Sequence, residues 1–159
     1  MVIGEAPGRV ETEQKRPFVG RAGSYFVGIL TDVLERKRES IYITNVVKIW
    51  PRIQTPRGRT RPPTKREEEF FLPLLHEEIG IVRPRVIVAV GRTAFNALVP
   101  GKEFSPGVWV EGHGGYSIMP VYHPAYILRR QRSMKELEDG LVRAIEEVRR
   151  RLDHAAEGC

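Results

Sequence analysis

The chain has 159 residues, 41% of them hydrophobic, with 26 Lys and Arg against 20 Asp and Glu for a formal net charge of +6, and its pI is near 9.8. That length suits one domain, expected over 1–159, with enough chain to bury a core unaided. No run approaches the ~18 consecutive apolar residues of a membrane span, and no basic segment followed by an apolar one marks a secretory signal. The single cysteine, Cys159, excludes an internal disulfide framework or cysteine metal cage and fits a reducing cytoplasm.

Met1-Val2-Ile3 reads as the end of a strand that starts with the chain, which leaves open whether a further segment precedes it. Ile3 to Ser24 then forms a polar loop punctuated by Gly4, Pro7, Gly8, Gly20 and Gly23, carrying the acids Glu5 and Glu11 and the aromatic Phe18. Phe26, Ile29, Leu30, Val33 and Leu34 have helical spacing, so a helix is expected over 23–36 with Ser24 as its N-cap. Ile41 to Thr44 is β-branched and aromatic, a strand ending at Asn45.

Pro51, Pro56, Gly58, Pro62 and Pro63 mark a long loop over 49–63. From Lys48 to Arg66 there are seven basic residues (Lys48, Arg52, Arg57, Arg59, Arg61, Lys65 and Arg66) and no acid. Such a stretch suits a polyanion such as nucleic acid, against the blander readings of a solvated arginine-rich loop or the arginine habit of a thermophile. Thr64 caps the next helix, with Glu67, Glu68 and Glu69 in its first turn and its end near Gly80.

Val86 to Val90 is a continuous apolar run, as expected of a central parallel strand covered on both faces. A short helix follows from Gly91 to Leu98. Strands are expected at 108–111 and 116–122 around a turn at 112–115, then helices at 125–130 and 136–152, with 154–159 frayed. Strands alternating with helices predict an α/β fold with a parallel sheet and helices on both of its faces.

Three strands end in polar groups: Glu5 and its loop, Asn45, and His123. In a parallel sheet the carboxyl ends share one edge, where such groups can meet. Each residue alone has a bland reading as a turn former, loop residue, helix cap or core ring; only the combination points to a site.

Four segments, GEAPGRVETEQKRPFVGRAG, YITNVVK, PRVIVAVGRTA and VYHPAYILR, occur in the order and spacing of the uracil-DNA glycosylase superfamily, and the chain resembles its family 4, the thermostable bacterial and archaeal branch. The resemblance implies a three-layer αβα sandwich around a central, mainly parallel four-stranded sheet, and it implies DNA repair: a nucleotide flipped from the helix and the N-glycosidic bond of uracil hydrolysed. Phe18 would stack on the base, Asn45 would read its Watson–Crick edge, and Glu11 would lie against C5 and crowd a thymine methyl. His123 would stabilise charge on the leaving base, and Glu5 would direct the attacking water. Ala6 stands in the pocket where other branches have an acid. DNA contacts would come from Arg21 and Ser24 at a helix start, from Lys48, Arg57, Arg59 and Arg61, from Ile127 or Leu128 as a wedge, and from Arg129 and Arg130 as phosphate clamps. The implied partner is uracil-containing DNA, met by a monomer in the cytoplasm, nucleoid-associated, with no membrane.

The sequence also departs from that family. Family 4 normally carries a four-cysteine iron–sulfur cluster. Two of those cysteines precede the first motif; the others fall where this chain has Ile49 and Phe71, so packing is expected in place of a cluster and no cofactor or metal is expected. The basic loop resembles that of a branch that captures the sugar on a histidine, but it contains no histidine, so no covalent adduct is expected. Two alternatives stay open: a glycosylase of the same fold for hypoxanthine or xanthine, and a catalytically weak DNA-binding relative. A plain nucleotide-binding domain is disfavoured by the lack of GxGxxG and GxxxxGK[ST] patterns.

Overall fold

A computed structural model describes residues 1–56 and 58–157. In chain order its elements are β1 (Val2–Gly4), α1 (Arg9–Gln14), α2 (Arg21–Leu34), β2 (Ile43–Asn45), β3 (Arg52–Ile53), β4 (Arg59–Thr60), α3 (Lys65–Val82), β5 (Val86–Val90), α4 (Arg92–Leu98), β6 (Val110–Glu111), β7 (Ser117–Val121), α5 (Pro124–Arg129) and α6 (Met134–Glu157).

Strand side chains alternate between two faces, and here each face has its own core. Val2, Val86, Val88, Val90, Met119 and Val121 pack with Phe26 and Leu30 of α2, Ile127 of α5 and Leu141 and Ile145 of α6. Ile3, Ile87, Ala89 and Ile118 point the other way, onto Leu75 and Ile79 of α3 and Phe95 and Leu98 of α4. The result is helix, sheet, helix, the expected αβα sandwich. The sheet has five strands rather than four, in the order β2-β1-β5-β7-β6. β2, β1, β5 and β7 run parallel. The fifth, β6, is a two-residue antiparallel edge paired to β7; a hairpin partner this short lengthens the sheet without altering the parallel core.

Helix positions hold to within a few residues, with four differences of substance. The loop after β1 contains α1, which buries none of its residues; with no apolar face it leaves no periodic trace in the sequence. α2 starts at Arg21 with Gly20 as N-cap, not Ser24. Ser24 lies within the first turn, its N–H bonded to the Gly20 carbonyl at 2.8 Å. The 49–63 segment is not an open loop: β3 and β4 pair antiparallel, and the hairpin wraps around Trp50. The Trp50 indole N–H donates to Thr60 Oγ1 at 2.9 Å, and the Arg52 guanidinium lies 5.4 Å above the ring. The tail expected to fray from residue 154 continues α6 to Glu157. Thr64 caps α3 as expected, accepting from Glu67 N–H at 3.2 Å while Glu67 accepts from Thr64 N–H at 2.7 Å.

Candidate active site

The parallel strands bring the ends of β1, β2 and β7 to one edge, where a cavity of about 200 Å³ is lined by Glu5, Ala6, Glu11, Phe18, Asn45 and His123, with Pro7, Gly23, Pro51, Thr60 and Arg61 completing its wall. Register explains the meeting: Gly4 is paired with Asn45, and β5, between β1 and β7, passes into α4 through Gly91. Gly91 has φ +89, which an L side chain rarely adopts, and a Cβ there would lie 3.2 Å from His123 Cβ.

Phe18 is 7% exposed and sits at φ +54, a left-handed conformation that costs a non-glycine residue about 1–2 kcal/mol. Two devices hold it. A Cβ at Gly23 would fall 2.4 Å from Phe18 Cα, so helix α2 approaches the turn only because residue 23 has no side chain. Arg38, which the sequence did not single out, donates Nη1–H to the Phe18 carbonyl at 3.4 Å and Nη2–H to the Pro17 carbonyl. Gly4 lies beneath the ring; a Cβ there would meet Asn45 Oδ1 at 2.5 Å and Phe18 Cζ at 2.6 Å.

Asn45 is 8% exposed, and its side-chain amide makes no hydrogen bond to another described residue, so both of its ends remain available to a ligand. Glu11 is different: Oε2 accepts from Gly8 N–H at 3.1 Å and Oε1 from Gly20 N–H at 2.8 Å. Both oxygens are committed, so Glu11 fastens the two ends of the loop and presents a fixed wall to the cavity.

His123 caps α5 with Nδ1, which accepts from Ala125 N–H at 3.1 Å. A neutral ring bonded this way carries its proton on Nε2, so the free edge is a donor. Burial pushes the His123 pKa below its usual 6.5, and Arg129 adds to that, while the nearby Glu5 carboxylate opposes it. Glu5 Oε2 accepts from Thr93 Oγ1 at 2.6 Å, and Oε1 has no hydrogen-bond partner among the described residues. Thr93 lies in the GRTA segment at the start of α4; a hydroxyl just past a strand end was the only signal for it.

The sequence-assigned DNA contacts divide. Arg21, Arg59, Arg129 and Arg130 are exposed, and Arg130 lies 4.8 Å over the ring of Tyr126, which stacks on Tyr122. Leu128 is half-buried. Ile127 is fully buried in the α2–α5–α6 core, so it is not a wedge: the helical turn of α5 sends it inward. Ser24 has no free donor, because its hydroxyl is spent on the Val19 carbonyl at 2.9 Å and its N–H on the helix. Arg61 grips both oxygens of Glu67 at 2.8 Å, and the Lys48 ammonium is taken up by Thr44, Asn45 and Glu78, so both cations are engaged within the chain. Arg57 lies outside the described residues.

The residues present do not fit the four-thiolate cluster of the resembled family. Ile49 and Phe71 offer no ligating atom, and among the described residues no group of three or more His, Cys, Asp or Glu is placed to hold a metal. Phe71 packs against the α3–α4 core, but Ile49 is 53% exposed, so packing replaces a ligand at only one of the two positions.

Fold and cavity together define an α/β sheet protein with an enzyme-like site at the carboxyl edge of its parallel strands. The chain belongs to the uracil DNA glycosylase superfamily, which it matches over residues 1–148. It is 40% identical to the type-4 uracil-DNA glycosylase of Thermotoga maritima over 136 residues, covering 81% of this chain and 66% of that protein. The type-4 enzyme of Pyrobaculum aerophilum is 38% identical over 160 residues, covering 89% and 74%, and that of Sulfurisphaera tokodaii is 34% identical over 149 residues, covering 87% and 65%. The chain thus spans about two thirds of the length of the curated relatives it matches. No described helix is long and apolar enough to cross a membrane.

Proposed function

We propose that this chain, acting as a single-domain monomer, hydrolyses the bond between uracil and deoxyribose in DNA. The observation that carries the proposal is one cavity holding a ring, an imidazole N–H, and an amide and a carboxylate oxygen that have no partner among the described residues. Uracil flipped into it would stack on Phe18, a contact of about 1–3 kcal/mol per base. The Asn45 amide oxygen would accept from N3–H while its NH₂ donates to O4. Cytosine presents the opposite pattern at both atoms and would leave buried groups unpaired. The rigid Glu11 wall, lying against C5, would collide with the methyl of thymine.

As the N1–C1′ bond breaks, negative charge collects on the base and the sugar acquires cationic character. The His123 Nε2–H would donate to O2 as that charge develops, a donor already oriented by the Nδ1 bond to Ala125. Glu5, with Oε2 held by Thr93, would offer Oε1 to the attacking water, and its charge favours the cationic sugar. Water, not a side chain, would take the sugar, since the hairpin carries no histidine. The Arg21, Arg59, Arg129 and Arg130 side chains would follow the phosphates, with Leu128 as the wedge. Cytoplasmic, nucleoid-associated DNA is the expected setting.

The test is release of uracil from labelled single-stranded and U·G oligonucleotides, scored by alkaline cleavage. His123→Ala is expected to lose about 10²-fold or more, and Asn45→Ala to lose rate and base discrimination. Unchanged rates in His123→Ala would remove the leaving-group role, and release of hypoxanthine but not uracil would move the chain to another lesion. The function is proposed without an iron–sulfur cluster: the purified protein is expected to lack a band near 400 nm, and stoichiometric iron would refute that.

A further inference from the structure

β2 is the edge strand of the sheet. β1 pairs with it on one side and, among the described residues, no strand covers the other, yet it ends in Asn45, whose amide lines the cavity. An edge strand three residues long is poorly placed to hold a side chain to a fraction of an ångström, so the support must come from elsewhere.

It comes from α3. Glu78 Oε1 accepts from the Tyr42 hydroxyl at 3.0 Å and from Thr44 Oγ1 at 3.1 Å, and its other oxygen binds the Lys48 ammonium. Lys48 in turn donates to Thr44 Oγ1 at 2.8 Å and to the Asn45 carbonyl at 2.6 Å. An ammonium has three donors, and all three are spent here. Lys48 and Glu78 side chains are each 19% exposed. On its paired side the same strand end is bonded to the loop that carries the acid: Val46 N–H donates to the Gly4 carbonyl and Val47 N–H to the Glu5 carbonyl, both at 2.9 Å.

We propose that Lys48 and Glu78 form a strut from α3 to the end of β2 that positions the Asn45 amide for base reading, and that Lys48 is a positioning residue and not a phosphate ligand. Without the strut, Asn45 keeps its side chain but loses the anchor on its carbonyl and on the preceding Thr44, so the two hydrogen bonds that separate uracil from cytosine lose alignment. The inference rests on the proposed role of Asn45.

The experiment compares wild type, Lys48→Met, Glu78→Gln and the double variant. Uracil release is read under single-turnover conditions, the preference for uracil over cytosine by competition, and binding to a uracil-containing single strand as a function of salt. Thermal melts identify folded variants. Expected is a loss of about tenfold to a hundredfold in each single variant, the scale of a misplaced reacting group. The loss should be accompanied by weaker uracil preference, and the double variant should be no worse than the poorer single. The slope of log affinity against log salt should stay at the wild-type value in Lys48→Met. A phosphate ligand would instead reduce that slope by about 0.7 for a single strand and leave Glu78→Gln at wild-type activity; either result overturns the strut. If Lys48→Met does not fold, Glu78→Gln preserves volume and decides: full activity and full preference refute the proposal. Wild type that releases no uracil would refute the glycosylase reading, while the salt slope, which requires no turnover, still separates strut from phosphate ligand.

Discussion

Gly4→Ala adds one methyl group and removes no chemical function, so its effect isolates the geometry of the site. Gly4 is buried at the end of β1 and does not have positive φ, so alanine meets no backbone strain there. The added carbon would sit 2.5 Å from Asn45 Oδ1 and 2.6 and 2.8 Å from two Phe18 ring carbons. Ordinary contact begins near 3.4 Å, so ring and amide must each retreat by roughly half an ångström or more. The backbone beneath each is held, that of Phe18 by its turn and Arg38 and that of Asn45 by β1 and Lys48, so relief must come from turning the ring and the amide away from the base. Overpacking of this kind costs about 1–3 kcal/mol of stability, and displacement of base-contacting groups on this scale costs up to about 10²-fold in rate. The assays are a thermal melt and single-turnover uracil release. A variant that melts lower and loses at least tenfold in rate agrees with the structure; one that keeps its rate within twofold refutes the claim that Phe18 and Asn45 close on the base over Gly4.

Other expectations concern the supports of the site. The folded pKa of His123 is depressed, so on acidification the unfolded chain takes up this proton before the native one. The stability contribution is therefore complete above pH 6.5 and falls away below it; His123→Gln should flatten the melting temperature between pH 7 and 5, and an unchanged slope would show that another group governs it. Thr93→Val removes the bond to Glu5 at nearly constant volume and is expected to slow release about tenfold, with Thr93→Ser restoring it; equal activity of the valine variant would free Glu5 from any need of that hold. Arg38→Met should release the Phe18 turn and raise KM more than it lowers kcat, as weaker base stacking predicts, and a pure kcat loss in steady-state kinetics would contradict that division.

Elements with an apolar face were legible in the sequence. Val86 to Val90 is apolar without interruption because both faces of β5 are covered, and α2 and α6 reveal themselves by helical spacing because each lays one stripe on the sheet. α1 and the β3–β4 hairpin have no such face. α1 is held by Glu11 on backbone N–H groups and the hairpin by its closure around Trp50, interactions that leave no period to read.

Glu5, Asn45 and His123 could be named because polar groups at strand ends are visible as such in a parallel pattern, and Phe18 from the motif that holds it. Their mutual placement belongs to the sheet order and register. The basic residues show the boundary most clearly. A sequence displays that Lys48, Arg59 and Arg61 are cationic, but Lys48 closes on Glu78 thirty positions away, Arg61 on Glu67, and Arg59 alone of the three stays exposed. Ile127 and Leu128 are likewise adjacent and equally apolar, and only the packing of α5 sends the first into the core. Composition and periodicity thus determined the layers and the chemical inventory. Tertiary structure decided which groups face one another, because charge and apolarity are properties of a residue, whereas a partner is a property of the folded chain.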